Sequence, residues 1–347
     1  MRVIYSPAHA GHDPEHFISA GRLAPSPECP ERAHRLFNAV TAAGYEILPP
    51  QEHGLEAIAA IHPADYLDFL QNGLAEWQQL PHPGPAMMPN MHPGRHMQGR
   101  PSAIVGKAGY YMADTACPIL PGTWGAALAS AQVALTAADL VLAGDDAAYA
   151  LCRPPGHHAY GDQAGGFCFL NNVAIAAHYI RQNGMGSAGR VAILDVDVHH
   201  GNGTQGIFYD RGDVFFCSLH GDPSTFYPYY AGYEDERGVG AGMDCNLNLP
   251  LPPGTGDGAY MGALDTALTA INDIAPDYLL VSLGLDAQEN DPLGILSITT
   301  DGFARMGAAI RGLGMPSLII QEGGYLCDEM ADNLLAFLDG FEANPGP

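Results

Sequence analysis

Four short apolar runs, each stopping at polar, reactive residues and glycine, restrict this chain to an alternating β/α architecture. The clearest is Val191-Ala-Ile-Leu-Asp-Val-Asp-Val-His-His-Gly-Asn202. Residues 147–152 open into Arg153-Pro-Pro-Gly-His-His158, residues 278–285 end at Asp286, and residues 316–320 lead to Gln321-Glu-Gly-Gly-Tyr325. Helix-like stretches at 173–181 and 258–274 lie between them, and strands separated by helices pair in parallel. The reading is α/β: a single domain over residues 1–347, with a central, mostly parallel sheet flanked by helices. In such a sheet the ligand crevice lies outside the carboxyl ends of the strands, so four strand ends deliver their polar residues to one place.

The first run carries the most chemistry. Strand side chains alternate between faces, which places Asp195, Asp197 and His199 on one side and Val196, Val198 and His200 on the other. Asp197 and His199 can then share one ion. An apolar strand ending in carboxylates needs a cation or a satisfied polar network, because an unpaired buried charge costs on the order of several kcal/mol.

Composition narrows the classes. The chain has 347 residues, 47% of them hydrophobic, enough for a substantial core. It carries 38 acidic against 14 basic residues, a net charge of −24, and Lys107 is the only lysine. That field disfavours nucleic acid and anionic membranes as partners and would draw in a cationic substrate, although solubility alone also explains it. Seven cysteines without Cys-x-x-Cys spacing argue against a disulfide framework or a structural zinc finger. The N-terminus lacks the pattern of a signal peptide, so a reducing, cytoplasmic setting is expected. The Ala-rich stretch 125–144 comes nearest to a membrane span. Leu128, Ala131, Leu135, Ala138 and Leu142 fall there at helical spacing, which predicts a packed core helix instead. From Pro81 to Pro101 the chain holds six prolines, three histidines and four methionines. This long loop, at about 81–101, has neither ligand spacing nor neighbouring carboxylates for a second metal, and its methionines suit an adaptable binding surface.

Several motifs in order carry a resemblance. Arg153-Pro-Pro-Gly-His-His, Gly165-Gly-Phe-Cys-Phe-Leu-Asn-Asn, Asp195-Val-Asp-Val-His-His-Gly-Asn-Gly-Thr-Gln, Ser218-Leu-His, Leu283-Gly-Leu-Asp and Glu322-Gly-Gly-Tyr resemble the zinc-dependent histone deacetylase family, on the arginase-deacetylase fold. Within it the chain is most similar to bacterial acetylpolyamine amidohydrolases, from Met1-Arg-Val-Ile-Tyr-Ser to near its C-terminus.

The resemblance implies a metal held by Asp197, His199 and Asp286, with coordination positions left open for catalysis. Zn2+ is the family's usual ion, and the mixed oxygen and nitrogen donors would also suit Fe2+, Mn2+ or Co2+. It implies His158, backed by Asn202, as general base and His157, backed by Asp195, as the group that stabilises the charged transition state. The two histidines should titrate differently, because a carboxylate favours imidazolium and an amide adds no charge. Tyr325 would donate to the developing oxyanion. Phe167 and Tyr227 would form the channel walls, with Phe226 the alternative to the latter, and the Gly166 carbonyl would accept the substrate N–H. A structural K+ is implied at Asp195, Asp197 and the carbonyls of His199, Ser218 and Leu219. The 81–101 loop is implied to help form a homodimer and to narrow the channel. One departure stands out. Some relatives carry a glutamate for a distal ammonium after Gly-Tyr-Tyr, whereas here Ala116 occupies that place and Asp114 lies two positions early.

The expected substrate is a small cationic acetylated amine, such as acetylputrescine or acetylcadaverine. Acetyl-lysine proteins or another small amide are the alternative for the same site. An arginase-like ureohydrolase with two Mn(II) is disfavoured, since Leu285-Asp-Ala287 supplies one carboxylate where a bridged pair needs two. A non-catalytic binding protein would have lost a ligand, His158 or Tyr325, and all are present.

Overall fold

Side chains along the central strands enter two different cores. Ala192 and Leu194 join one apolar cluster, while Val191 and Ile193 join another on the opposite face. That division requires a sheet covered on both sides. The structure, a computed structural model, describes residues 1–184 and 189–343. Its described strands are β1 (Arg2–Ile4), β2 (His16–Ser19), β3 (Arg22–Pro25), β4 (Glu46–Leu48), β5 (Ala147–Ala150), β6 (Val191–Asp195), β7 (Val214–Gly221), β8 (Asn246–Leu251), β9 (Tyr278–Leu283) and β10 (Ser317–Gln321). Eight of them form one sheet in the order β4-β1-β5-β10-β9-β6-β7-β8. Every neighbouring pair in it is parallel. The α/β class is thus borne out, with the sheet wholly rather than mostly parallel.

Helices Pro30–Ala42, Asp257–Ile274, Thr300–Arg311 and Met330–Ala343 cover one face, and Thr123–Leu142 and Asn172–Asn183 cover the other. Thr123–Leu142 is long and apolar enough to cross a membrane, but Ala131, Leu135 and Ala138 on it are buried within the protein. The four runs singled out in the sequence are β5, β10, β9 and β6, four adjacent strands at the middle of the sheet. Their carboxyl ends therefore lie side by side.

Two features outside the sheet matter for the site. β2 and β3 pair as an antiparallel hairpin turned at Ala20-Gly21, both with positive φ, the backbone of a two-residue primed turn. No strict apolar alternation marks it in the sequence. The 81–101 segment has no regular element beyond a single bridge, Met87 to Ile119. It lies between helices Ala64–Trp77 and Ile104–Tyr111, which the Lys107–Glu76 ion pair joins at 3.0 Å. Met87 corrects one expectation: it is fully buried with Phe69 and Tyr111 rather than part of a binding surface, whereas Met91 and Met97 are exposed.

Candidate active site

The β6 ladder ends at Asp195, so strand alternation is not what brings Asp197 and His199 together. Once the chain leaves the sheet, local hydrogen bonds shape it. Asp195 Oδ1 accepts from Asp197 N at 3.2 Å, and Asp197 Oδ1 accepts from His199 N at 2.9 Å. Val196 and Val198 still enter the core on the other side. His199 Nδ1 then lies 3.2 Å from Asp197 Oδ1 and 3.1 Å from Asp286 Oδ2. Potential ligand atoms of these three buried residues all fall within 4.8 Å of one another. The outer oxygens are taken by the backbone, Asp197 Oδ2 by Gly323 N at 2.8 Å and Asp286 Oδ1 by Val198 N at 3.0 Å. Each carboxylate thus turns one oxygen inward. A Cβ on Gly323 would sit 2.2 Å from Asp286 Oδ2, so only glycine closes this cradle.

Two buried carboxylates around one imidazole carry excess negative charge, which a divalent cation would offset, and three protein ligands leave room for water and substrate. The donor set fits such a metal. Burial alone would depress His199, but hydrogen bonds to Asp197 and Asp286 outweigh it and raise the imidazole to about 9. A proton and a metal therefore compete for the same atoms, and metal binding releases a proton.

The two histidines after β5 stand in opposite charge states. His157 Nδ1 lies 3.0 Å from Asp195 Oδ2. Burial lowers its pKa, but Asp197 and Asp195 together push it up to about 10. His158 Nδ1 lies 2.7 Å from Asn202 Oδ1, an acceptor, which fixes the proton on Nδ1 and leaves Nε2 free to accept. Burial, then the charges of His157 and His199, hold His158 well below its usual range. Their rings are 4.0 Å apart.

The loops that carry these groups are fastened to each other by residues to which the sequence reading gave no role. Glu322 Oε2 accepts from Gly156 N at 2.6 Å and His157 N at 3.1 Å, tying the end of β10 to the histidine loop. Arg32 donates to the carbonyls of Glu322 (2.8 Å) and Gly324 (2.5 Å), and its guanidinium lies 4.7 Å from the Tyr325 ring. Buried Glu28 bridges Arg32 (2.8 Å) and Arg153 (2.9 Å). Asp291 Oδ2 accepts from Tyr325 N at 2.7 Å. Burial, with Arg32 opposing it, keeps the Tyr325 hydroxyl well above its usual range, so it stays a donor.

A cavity of about 820 Å3 opens over this floor, lined among others by His158, His199, Gly166, Phe167, Tyr227 and Tyr325. Phe226 and Tyr227 both line it but differ in contact: Phe226 stacks on His199 at 4.8 Å, whereas Tyr227 stands edge-on to His158 at 5.0 Å. The β2–β3 hairpin supplies Phe17 and Ile18, and no residue of the 81–101 segment lines the cavity. Asp114 lines it too, its carboxylate bonded to Tyr227 and Gly166. Asp195 and Ser218 are register partners across β6 and β7. The Ser218 hydroxyl contacts His220 Nδ1 at 2.8 Å.

Comparison with known proteins gives a consistent picture. The histone deacetylase domain matches residues 26–341. The chain is 45% identical to the acetylpolyamine amidohydrolase of Burkholderia pseudomallei over the full length of both. It is 46% identical to acetylpolyamine amidohydrolase 1 of Pseudomonas aeruginosa over 99% of each chain. A crystal structure of the acetylpolyamine aminohydrolase from Burkholderia pseudomallei superposes with a TM-score of 0.95 at 44% identity, covering 100% of both chains.

Proposed function

The chain belongs to the histone deacetylase family, a family of metal-dependent amidohydrolases, and on that premise we propose that it removes acetyl from short acetylated diamines and polyamines with Zn2+ at Asp197, His199 and Asp286. The observation that carries this reading is the contrast between His157 and His158 above one metal cradle: an adjacent acid and base at the end of a single strand.

When bound, the metal would polarise the amide carbonyl and lower the pKa of water from 15.7 toward ~7. The protein's own groups do the rest. His158 takes a proton from the attacking water on Nε2, its ring held by Asn202. Tyr325 donates to the carbonyl oxygen as negative charge develops there. The imidazolium of His157, held by Asp195, stabilises that charge and gives a proton to the nitrogen as the C–N bond breaks. Acetate and a free amine leave. The Gly166 carbonyl accepts the substrate N–H, and Phe167 and Tyr227 grip its alkyl chain.

Two further assignments belong to the same reading. K+ would sit at Asp195, Asp197 and the carbonyls of His199, Ser218 and Leu219, a placement supported by the Asp195–Ser218 register. A homodimer would form through the 81–101 segment, supported by exposed Met91 and Met97. Light scattering on the intact protein tests the dimer. The deciding experiment is a screen of the zinc-loaded enzyme across acetylputrescine, acetylcadaverine, acetylspermidine and acetyl-lysine peptides. The small diamines should show the highest kcat/KM, and faster turnover of peptides would overturn the substrate assignment while leaving the chemistry intact.

A further inference from the structure

The walls of the cavity depend on a carboxylate that the chemistry above does not use. Gly165-Gly-Phe-Cys168 closes on itself, with Gly165 N donating to Cys168 O at 3.1 Å and Cys168 N to Gly165 O at 2.8 Å. Both central residues have positive φ, 52° at Gly166 and 70° at Phe167, the backbone of a type I′ turn. Glycine adopts that conformation freely; phenylalanine does not. Something outside the turn must hold it. The Gly166 N–H donates to Asp114 Oδ2 at 2.9 Å, and the same oxygen accepts the Tyr227 hydroxyl at 2.7 Å. Asp114 Oδ1 is fixed in turn by Ala116 N at 2.8 Å. Burial, then the charge of Asp114, keeps the Tyr227 hydroxyl well above its usual range, so it remains a donor. One lining residue, Phe167, packs against Phe17 at 5.7 Å and Tyr325 at 5.8 Å. The other, Tyr227, stands edge-on to His158 at 5.0 Å. One half-buried carboxylate fastens both.

We propose that Asp114 is a specificity-determining positioning residue: by pinning Tyr227 and the turn that presents Phe167, it sets the width of the channel and so selects slim alkyl amides. This rests on the amidohydrolase reading above. Asp114 acts through its two tethers rather than on the reacting atoms.

The test compares Asp114→Ala, Asp114→Asn, Tyr227→Phe and the Asp114→Ala/Tyr227→Phe pair, with zinc content and circular dichroism as fold controls. For Asp114→Ala, KM for acetylputrescine should rise about tenfold, the scale of hydrogen bonds to a charged group, while kcat falls by a smaller factor. Its preference for acetylputrescine over an acetyl amide with a branched chain should fall as well. Asp114→Asn keeps one acceptor oxygen and should lie between wild type and alanine. The double variant should resemble Asp114→Ala alone, because the one tether that Tyr227→Phe removes is already lost in Asp114→Ala. Calorimetry supplies a readout independent of turnover: Asp114→Ala should weaken a linear alkyl hydroxamate about tenfold and leave acetohydroxamate, too short to reach the walls, unaffected. Wild-type KM and selectivity in Asp114→Ala, strictly additive losses in the pair, or a fall in kcat with KM unchanged would each overturn the proposal. If the wild type ignores acetylputrescine, the substrate reading falls, and the hydroxamate comparison still decides the role of Asp114.

Discussion

The floor of the cavity and its rim are built on different principles. On the floor, Asp195, Asp197 and Asp286 are completely buried at the ends of adjacent strands, and backbone amides occupy their outward oxygens. At the rim, Tyr229 is half exposed and Tyr230 is 93% exposed on a loop outside the sheet. Floor geometry follows from the sheet, so charge states there are fixed by burial and by neighbours that cannot move away. Rim geometry follows from a few side-chain tethers, which leaves it free to vary without disturbing the chemistry. On the proposed reading, the first region sets the reaction type, and the walls tethered by Asp114 between floor and rim set substrate choice.

The largest effect should come from the floor. Asp286→Ala should lose metal and activity while keeping its fold, since the residue follows a strand terminus rather than filling the apolar core. Elemental analysis with turnover and circular dichroism checks this, and stoichiometric metal with normal turnover would break the contrast. Next, His158→Ala and Tyr325→Phe should each lower kcat by on the order of 10²-fold or more with metal content unchanged. Wild-type kcat in Tyr325→Phe would move the oxyanion role elsewhere.

The third effect concerns the support beneath the floor. Glu28→Gln should cost about 3–5 kcal/mol in urea unfolding, because it leaves buried Arg32 and Arg153 uncompensated. Burial would raise the Glu28 carboxyl, but Arg153 and Arg32 outweigh it and hold it below its ordinary 4.5. Its contribution is therefore complete above the unfolded value and lost as pH falls through the lower folded one. Wild type should lose stability across that acid window, and Glu28→Gln should show a shallower acid limb. An unchanged limb would remove Glu28 from the account. The smallest effect belongs to the rim: Tyr230→Ala should change kcat/KM by no more than about twofold, as surface changes usually do. A tenfold loss would show that the rim does not vary independently of the floor.

Much of this was legible in the sequence for a physical reason. A parallel strand buried on both faces must be apolar throughout, so the point where β6 or β9 turns polar marks where the sheet stops and the site begins. Strand order was not legible, because nothing local in β10 specifies that it lies between β5 and β9. Nor was the Glu28 network. Glu28 and Arg32 stand four residues apart at a helix start, a spacing shared with ordinary surface pairs, and only the fold reveals that both are buried against Arg153. Met87 shows the reverse error: a methionine in a proline-rich loop reads as adaptable surface, yet the loop dips once into the core there.

The ion pair that joins the helices on either side of the 81–101 segment has a practical consequence. Lys107 is the chain's single lysine, and its ammonium is held by Glu76 at 3.0 Å with the side chain 33% exposed. Besides the α-amino group, the sequence offers no other primary amine to a fluorogenic amine reagent. Deacetylation of a mono-acetylated diamine turns one primary amine into two, so that fluorescence would follow the reaction as a rise over the substrate's own signal, with little added by the enzyme.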